Sequence, residues 1–551
     1  MSSTVESPKH EPAPTPSLSL IPQKRPFDEG HSPAVSSPLN QDVKFSELQP
    51  LPALDEALLA SRSKPSRVKK DTLKKRESRG GESIPSTPDP KPSGGSKPTA
   101  TSGPLRYKLA PPKPSDFDLA RGPVMTPHHQ STDSDGQTIS FLETSEHVFN
   151  KKNFRYTHCI ADPSFPSMLY YRQTEPEPFG PRMSFEDAAM HVFFDKSALQ
   201  VTTSKGFRMA RANVAVREGR WYWECKITQG IQEDKDGSGK PQGGRHVRMG
   251  WARREASLDA PVGFDAYSYG IRDVAGEKVH MSRPKPFFSV NESIRQGDVI
   301  GLEIQLPRQH LHRKIVSGEY NPAIDGAADS SPMVEAPNIV RDRVPIRFKS
   351  HTYFEKIEYH ATKDLEDLMN PSPTGVAAGA SQTPNPNHSS PALRTLPDSC
   401  IKIYKNGVYM GQAFDNLFAF LPPASKPMPQ VGARDGFDDG MLGYYPAVSV
   451  FRGGAAQVNF GPDFWYPPPD YCRSGKEDET GTQSQNPLRA ISERYHEQIA
   501  EDIVYDVIDE VDFWMQDGGG VTDHNGMQQN RNNGGAVGPG QEEIKELVQD
   551  D

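Results

Sequence analysis

The chain has 551 residues, with 53 Pro, 45 Gly and only 34% hydrophobic residues, below the roughly 45–50% of ordinary globular domains even allowing for Gly in that figure. This excludes a core running the whole length: little more than half the chain can bury apolar surface, and the rest cannot offset its ordering entropy. The net charge is −9, with a basic block near the start and an acidic end; no run approaches the ~18 apolar residues that cross a bilayer, and the lack of a hydrophobic signal core argues against secretion.

Residues 1–103 are dominated by Pro, Ser, Lys and Glu and read as a disordered tail. Within it Arg67, Lys69, Lys70, Lys74, Lys75 and Arg76 form a basic cluster. Such a cluster resembles a nuclear import signal, suits phosphate contacts equally, and is otherwise a solvated linker. His128 and His129 stand beside Pro127 in a stretch read as disordered and incidental. The four cysteines, Cys159, Cys225, Cys400 and Cys472, lie far apart without a CxxC pair. They do not make a zinc finger among themselves and point to a reducing compartment, cytosol or nucleus.

Order is expected from about Leu105 and is clear by Phe154–Tyr156, opening a β region over 104–471. Trp221, Trp223, Cys225 and Ile227 alternate with Tyr222, Glu224 and Lys226; Val247, Met249 and Trp251 alternate with His246, Arg248 and Gly250. Ile300, Leu302, Ile304 and Leu306 alternate with Gly301, Glu303 and Gln305. Period two describes strands with one buried face. Several in series predict an antiparallel β-sandwich, with Trp221 and Trp223 as core. A polar loop at Gln232–Gly244 and a long insertion at 307–400 interrupt the series. The insertion carries one candidate strand, Val344–Lys349, and a flexible excursion, Pro371–Pro391.

After a polar linker at 472–487 the period changes. Ile491, Tyr495, Ile499, Ile503, Val507 and Val511 recur every four residues, joined by Val504 and Ile508, and predict an amphipathic helix over 488–516. Its remaining surface is acidic, Gly518–Gly520 stops it, and 517–551 reads as a disordered acidic tail. Such a helix either folds back onto the β region or docks into a partner's groove.

Gly219–Glu224 resembles the first strand of a SPRY domain. Arg248–Trp251, Gly263–Tyr269, Gln296–Gly301, Tyr404–Val408 and Tyr445–Ser449 follow in that family's order. Within SPRY proteins the chain resembles the Ash-two/Bre-two subunit of COMPASS-type histone methyltransferases. Phe348–Ser350 with Tyr353–Glu355 in the insertion, Asn459–Pro462, Tyr466–Pro468 and the helix Ile499–Tyr505 carry that likeness. The zinc-binding finger and winged helix of some relatives have no counterpart in the sequence, which is similar to the shorter, fungal-type form.

The resemblance implies a non-catalytic nuclear scaffold without cofactor or metal, promoting methylation of histone H-three at lysine four on the nucleosome. The chemistry would belong to a SET-domain subunit; no phosphate loop, nucleophile elbow or helical His pair is found in the sequence. It implies that Arg211, Arg217 and Arg248 bind an acidic segment of an Rb-binding-protein-five-like WD-repeat subunit, a carboxylate-reading role that suits a planar fork. Reversing Arg217 or Arg248 to Glu is then expected to weaken that binding without unfolding. It also implies that Ile499, Ile503, Val504, Val507 and Val511 bind a Dpy-thirty-type homodimer. Two other readings are a SPRY adaptor for ubiquitin ligation, which needs a RING or cullin box not found here, and a lone peptide- or DNA-binding module, which needs no terminal helix.

Overall fold

The structure is a computed structural model. It describes residues 112–132, 136–145, 155–162, 171–231, 244–289, 292–325, 339–341, 345–349, 351–370, 383–428, 436–471 and 486–516, with short strands at 107–108, 545–546 and 548–550. The basic cluster, Cys472, the loop 232–243 and the stretch 371–382 lie outside the described residues.

Two antiparallel sheets face each other. One is built on strand Gly219–Gln229, flanked on one side by Val299–Leu306, Cys400–Lys405 and Val408–Asp415. On its other side Ala455–Asn459 leads through two short strands to Thr138–Thr144 and Met125–Thr132. The second sheet centres on His246–Ala252, between Ser268–Arg272 and Tyr445–Phe451, with Arg208–Ala212 and Met183–Ala188 beyond. Trp221, Trp223 and Cys225 pair with Ile304, Leu302 and Ile300 across the first sheet. Met249 pairs with Val448 and Ile271 across the second. Their inner faces form one core, in which Trp223 and Trp251 meet edge to face at 6.2 Å. The predicted sandwich is therefore the architecture. The hairpin Lys405–Val408 turns through Asn406 and Gly407, both at positive φ, as a two-residue turn between twisted strands requires.

Alternation assigned Tyr222, Glu224 and Glu303 to an open face, yet all three are 0% exposed. That face is covered by 463–471. The Glu224 carboxylate accepts the backbone N–H of Trp465 and of Tyr466, both at 2.7 Å. Glu303 gathers Arg220, Lys402 and the Tyr404 hydroxyl. A strand can carry polar residues of period two and still be buried twice if each polar group finds partners.

Five segments depart from expectation. His128 and His129 lie in an ordered strand, where His128 stacks on Phe193 at 3.8 Å and His129 on Phe141 at 5.2 Å. The insertion holds more than one strand. Pro345–Phe348 and His351–Glu355 join Tyr156–Ala161 in a third sheet, and helix Gln309–Ser317 buries Ile315 and Val316. The chain from Thr383 to Pro391, expected to be a flexible excursion, is placed, and just beyond it Ala392 and Leu396 are buried. Leu488–Ala490 is not the first turn of a helix but a strand pairing in parallel with Arg220–Tyr222; Leu488 and Ala490 are buried and the helix runs Ile491–Gln516. Finally, the acidic end supplies short strands that pair with 107–108 and 345–348, using the unpaired backbone groups of sheet edges.

Candidate protein-protein interaction sites

The three arginines occupy different environments. Arg211 is 3% exposed, and one terminal nitrogen donates to the carbonyl oxygens of Arg253 (2.6 Å), Arg254 (3.0 Å) and Ala256 (3.2 Å). Its other nitrogen reaches Asp187 at 3.5 Å. One guanidinium nitrogen shares its N–H groups among three carbonyls of the loop, so Arg211 fastens the 253–256 turn to the sheet. Burial alone would raise the Asp187 carboxyl, but Lys356, Arg211 and Arg254 outweigh it and hold the group well below the usual range.

Arg217 is also buried, at 4% exposure, and makes a two-pronged pair with Asp438. The same Asp438 accepts the backbone N–H of Gly440 through its side chain and that of Val340 through its carbonyl. Arg217 thus ties three segments together. The expectation that it could be reversed to Glu without unfolding does not fit this placement, because Asp438 would face a second buried carboxylate.

Arg248 differs. It is half-buried on the outer face of the second sheet, with its guanidinium over the Phe207 ring at 4.8 Å and no hydrogen-bond acceptor among the described residues. Burial and the guanidinium of Arg272, directly opposite on the next strand, lower its pKa to about 10. Arg272 itself pairs with Glu277. Around Arg248 lie partly exposed Phe207 and Phe451, their rings 4.8 Å apart, with His246 opposite Phe451 and Arg452 over its ring. This aromatic and arginine patch has the composition of an interface core. Sequence reading missed Phe207, Arg272 and Phe451. The signal was cross-strand pairing, which a single strand's alternation does not contain.

The terminal helix is split in character. Its first half folds back: Ile491 and Tyr495 join the core and Ile499 packs partly against it. The Gln498 amide bonds both Asn213 O and Ala215 N, and Arg494 donates to Ala215 O. Its second half turns apolar side chains to solvent. Ile503 is 52% exposed, Val504 55%, Val507 48%, Ile508 45% and Val511 51%. Spacings of one, three and four put these on one stripe. The acidic face is held instead: Asp506 and Asp509 are buried, and with Asp502 they surround Arg341. Of the expected anchors, Ile503, Val504, Val507 and Val511 therefore share the exposed stripe, and Ile499 sits where the helix meets the protein's own core.

A cleft of about 120 Å³ lies between the third sheet and the helix, lined by Glu175, Arg182, Glu186, Asp187, Arg341 and Lys356 among others. Several of these charges are already paired, as Lys356 is with Asp187. Among the described residues no group of three or more His, Cys, Asp or Glu is placed to hold a metal ion, and Cys159, Cys225 and Cys400 are buried and form no disulfide there.

No family model matches the chain. The chain is 59% identical to the COMPASS component cclA of Colletotrichum higginsianum over 559 residues, covering 97% of this chain and 96% of that protein. It is 40% identical to the Set1 complex component ash2 of Schizosaccharomyces pombe, over 74% of this chain and 52% of that protein. With the Set1/Ash2 histone methyltransferase complex subunit ASH2 of Drosophila melanogaster it shares 27% identity, over 58% of this chain and 46% of that protein.

Proposed function

The chain belongs to the family of COMPASS components that includes cclA, and from that premise we propose that it is a nuclear, non-catalytic scaffold of a histone methyltransferase complex promoting methylation of histone H-three at lysine four. A SET-domain subunit supplies the chemistry. This chain contributes rigid surfaces that favour the active arrangement of its partners, a population shift rather than a reaction step.

Two surfaces serve that role. The stripe Ile503, Val504, Val507, Ile508 and Val511 docks into the apolar groove of a Dpy-thirty-type homodimer, where the near-half exposure of each side chain is removed from water. The Arg248 patch receives an acidic segment of the Rb-binding-protein-five-like WD-repeat subunit, since its guanidinium has donors to spare. Arg211 and Arg217 are instead committed to the fold, fastening the 253–256 turn and the Asp438 segment near the Ala252–Tyr445 end of the same strand pair, away from Arg248. The basic cluster at 67–76 serves nuclear import or contacts nucleosomal DNA.

The observation carrying this reading is the exposed apolar stripe on a helix whose first half is already anchored. Tagged purification of the full chain, with the parent sequence and with Ile503→Glu/Val507→Glu, tests it. Loss of the small helical dimer alone from the double variant is expected; its unchanged recovery would refute the docking assignment.

A further inference from the structure

The outer half of the terminal helix has an unusual problem. Asp502, Asp506 and Asp509 recur at spacings of four and three, so three carboxylates crowd one face, and like charges at these spacings weaken a helix. Two of them are buried, Asp506 at 2% and Asp509 at 8% exposure. Such carboxylates need a counter-charge held in place.

That counter-charge comes from the long insertion. Arg341, 5% exposed, reaches Asp502 Oδ1 at 3.2 Å, the Asp502 carbonyl oxygen at 3.3 Å and Asp509 at 3.6 Å, and it pairs closely with Asp506. Its guanidinium also lies over the Tyr505 ring at 5.4 Å. The arginine is itself anchored: Ile339 bridges to Asp438 in parallel register, and Val340 N donates to Asp438 O at 2.9 Å. Arg217 holds the other side of Asp438. A continuous path of contacts therefore runs from the sandwich through Asp438 and the 339–341 segment to the acidic face of the helix.

We propose that residues 339–341 form a clasp, in which Arg341 is a positioning residue that orders the outer half of the terminal helix and aims its apolar stripe away from the body, ready for a helical partner. The inference rests on the docking reading of that stripe. Without the clasp the outer half has lost its fixed cation, frays, and must be ordered at the moment of binding, which weakens the complex. If the docking-competent state falls to a tenth of the population, the apparent Kd rises about tenfold.

The test measures binding of the full chain to a purified Dpy-thirty-type dimer, together with hydrogen exchange of the helix amides. In Arg341→Ala, amides 503–512 are expected to lose protection while 491–499 keep theirs, and the Kd is expected to rise roughly tenfold. The swap Arg341→Asp/Asp506→Arg is expected to recover part of the affinity, which a merely structural loss would not allow. If Arg341→Ala disturbs the body, Asp502→Asn/Asp506→Asn/Asp509→Asn probes the clasp from the helix side. Parent-like protection and affinity in that triple variant would overturn the clasp. Parent-like binding by Arg341→Ala, with binding abolished in Ile503→Glu/Val507→Glu, overturns the clasp and leaves the docking reading standing. Parent-like binding by both overturns the two together.

Discussion

Truncating Arg217 to Ala would strip Asp438 of its two-pronged partner while leaving the carboxylate buried, with the Gly440 N–H still bonded to it. Removing one partner of a buried ion pair costs about 3–5 kcal/mol, because an uncompensated charge remains. Total stabilities of about 5–15 kcal/mol make that a large fraction of what holds the domain together. In a unit of this size the melting temperature would fall by on the order of ten degrees. Arg248 is the matched control. Its guanidinium has no hydrogen-bond acceptor among the described residues, lies over Phe207 and faces Arg272. Its truncation forfeits a cation–π contact of about 0.5–1 kcal/mol and relieves a repulsion, so Arg248→Ala should melt within about 2 °C of the parent. Circular dichroism melts of the purified full chain at pH 7 decide between them, and WD-subunit affinity is then measured on Arg248→Ala, where a loss cannot be blamed on unfolding. An Arg217→Ala melt indistinguishable from the parent, or equal losses in the two variants, would refute the division into a structural and an interacting arginine.

Three further outcomes are expected. Ile503→Glu/Val507→Glu should leave the melting temperature nearly unchanged, since both residues are about half exposed, yet cost on the order of several kcal/mol in dimer binding by placing charge in an apolar groove; isothermal titration checks both halves. Gly250→Ala should destabilise strongly, because an added Cβ would lie 1.9 Å from the Tyr269 carbonyl oxygen, which is backbone of the adjoining strand and cannot swing away; the soluble yield and melt of the variant report it. His312 is fully buried and its Nε2 accepts the N–H groups of Phe420 and Leu421, so burial first, then Arg217, Arg253 and Arg313, keep the ring neutral well below pH 6.5. The unfolded chain takes up that proton near 6.5 and the folded one does not, so this contribution is present above pH 6.5 and declines as the pH drops below it. His312→Gln does not titrate there, and its melting temperature should fall less steeply between pH 6.5 and 5; identical slopes would exclude the histidine as the source.

The sandwich was legible because its core strands alternate cleanly and because Asn406–Gly407 marks a hairpin. Burial of the second face was not, since Glu224 and Glu303 look solvent-facing until the segments that meet them are placed. The same holds for the arginines. Residue type cannot separate Arg211, which caps a loop 42–45 residues away in sequence, from Arg248, which lies over an aromatic ring. The helix stripe was read as continuous because period alone does not show that Ile491 and Tyr495 are claimed by the core while Ile503 and Val507 are not. Arg341 was out of reach altogether: it lies 161–168 positions from the carboxylates it holds.

The central claim is that this chain is a subunit of a histone methyltransferase assembly. Affinity purification of the tagged full chain from nuclear extract, followed by identification of the co-eluting proteins, tests it most directly. A SET-domain methyltransferase, a WD-repeat subunit and a small helical dimer are expected to co-elute, with the dimer lost from Ile503→Glu/Val507→Glu. Recovery of a cullin or RING ligase in their place, or of the chain with none of these subunits, would contradict it.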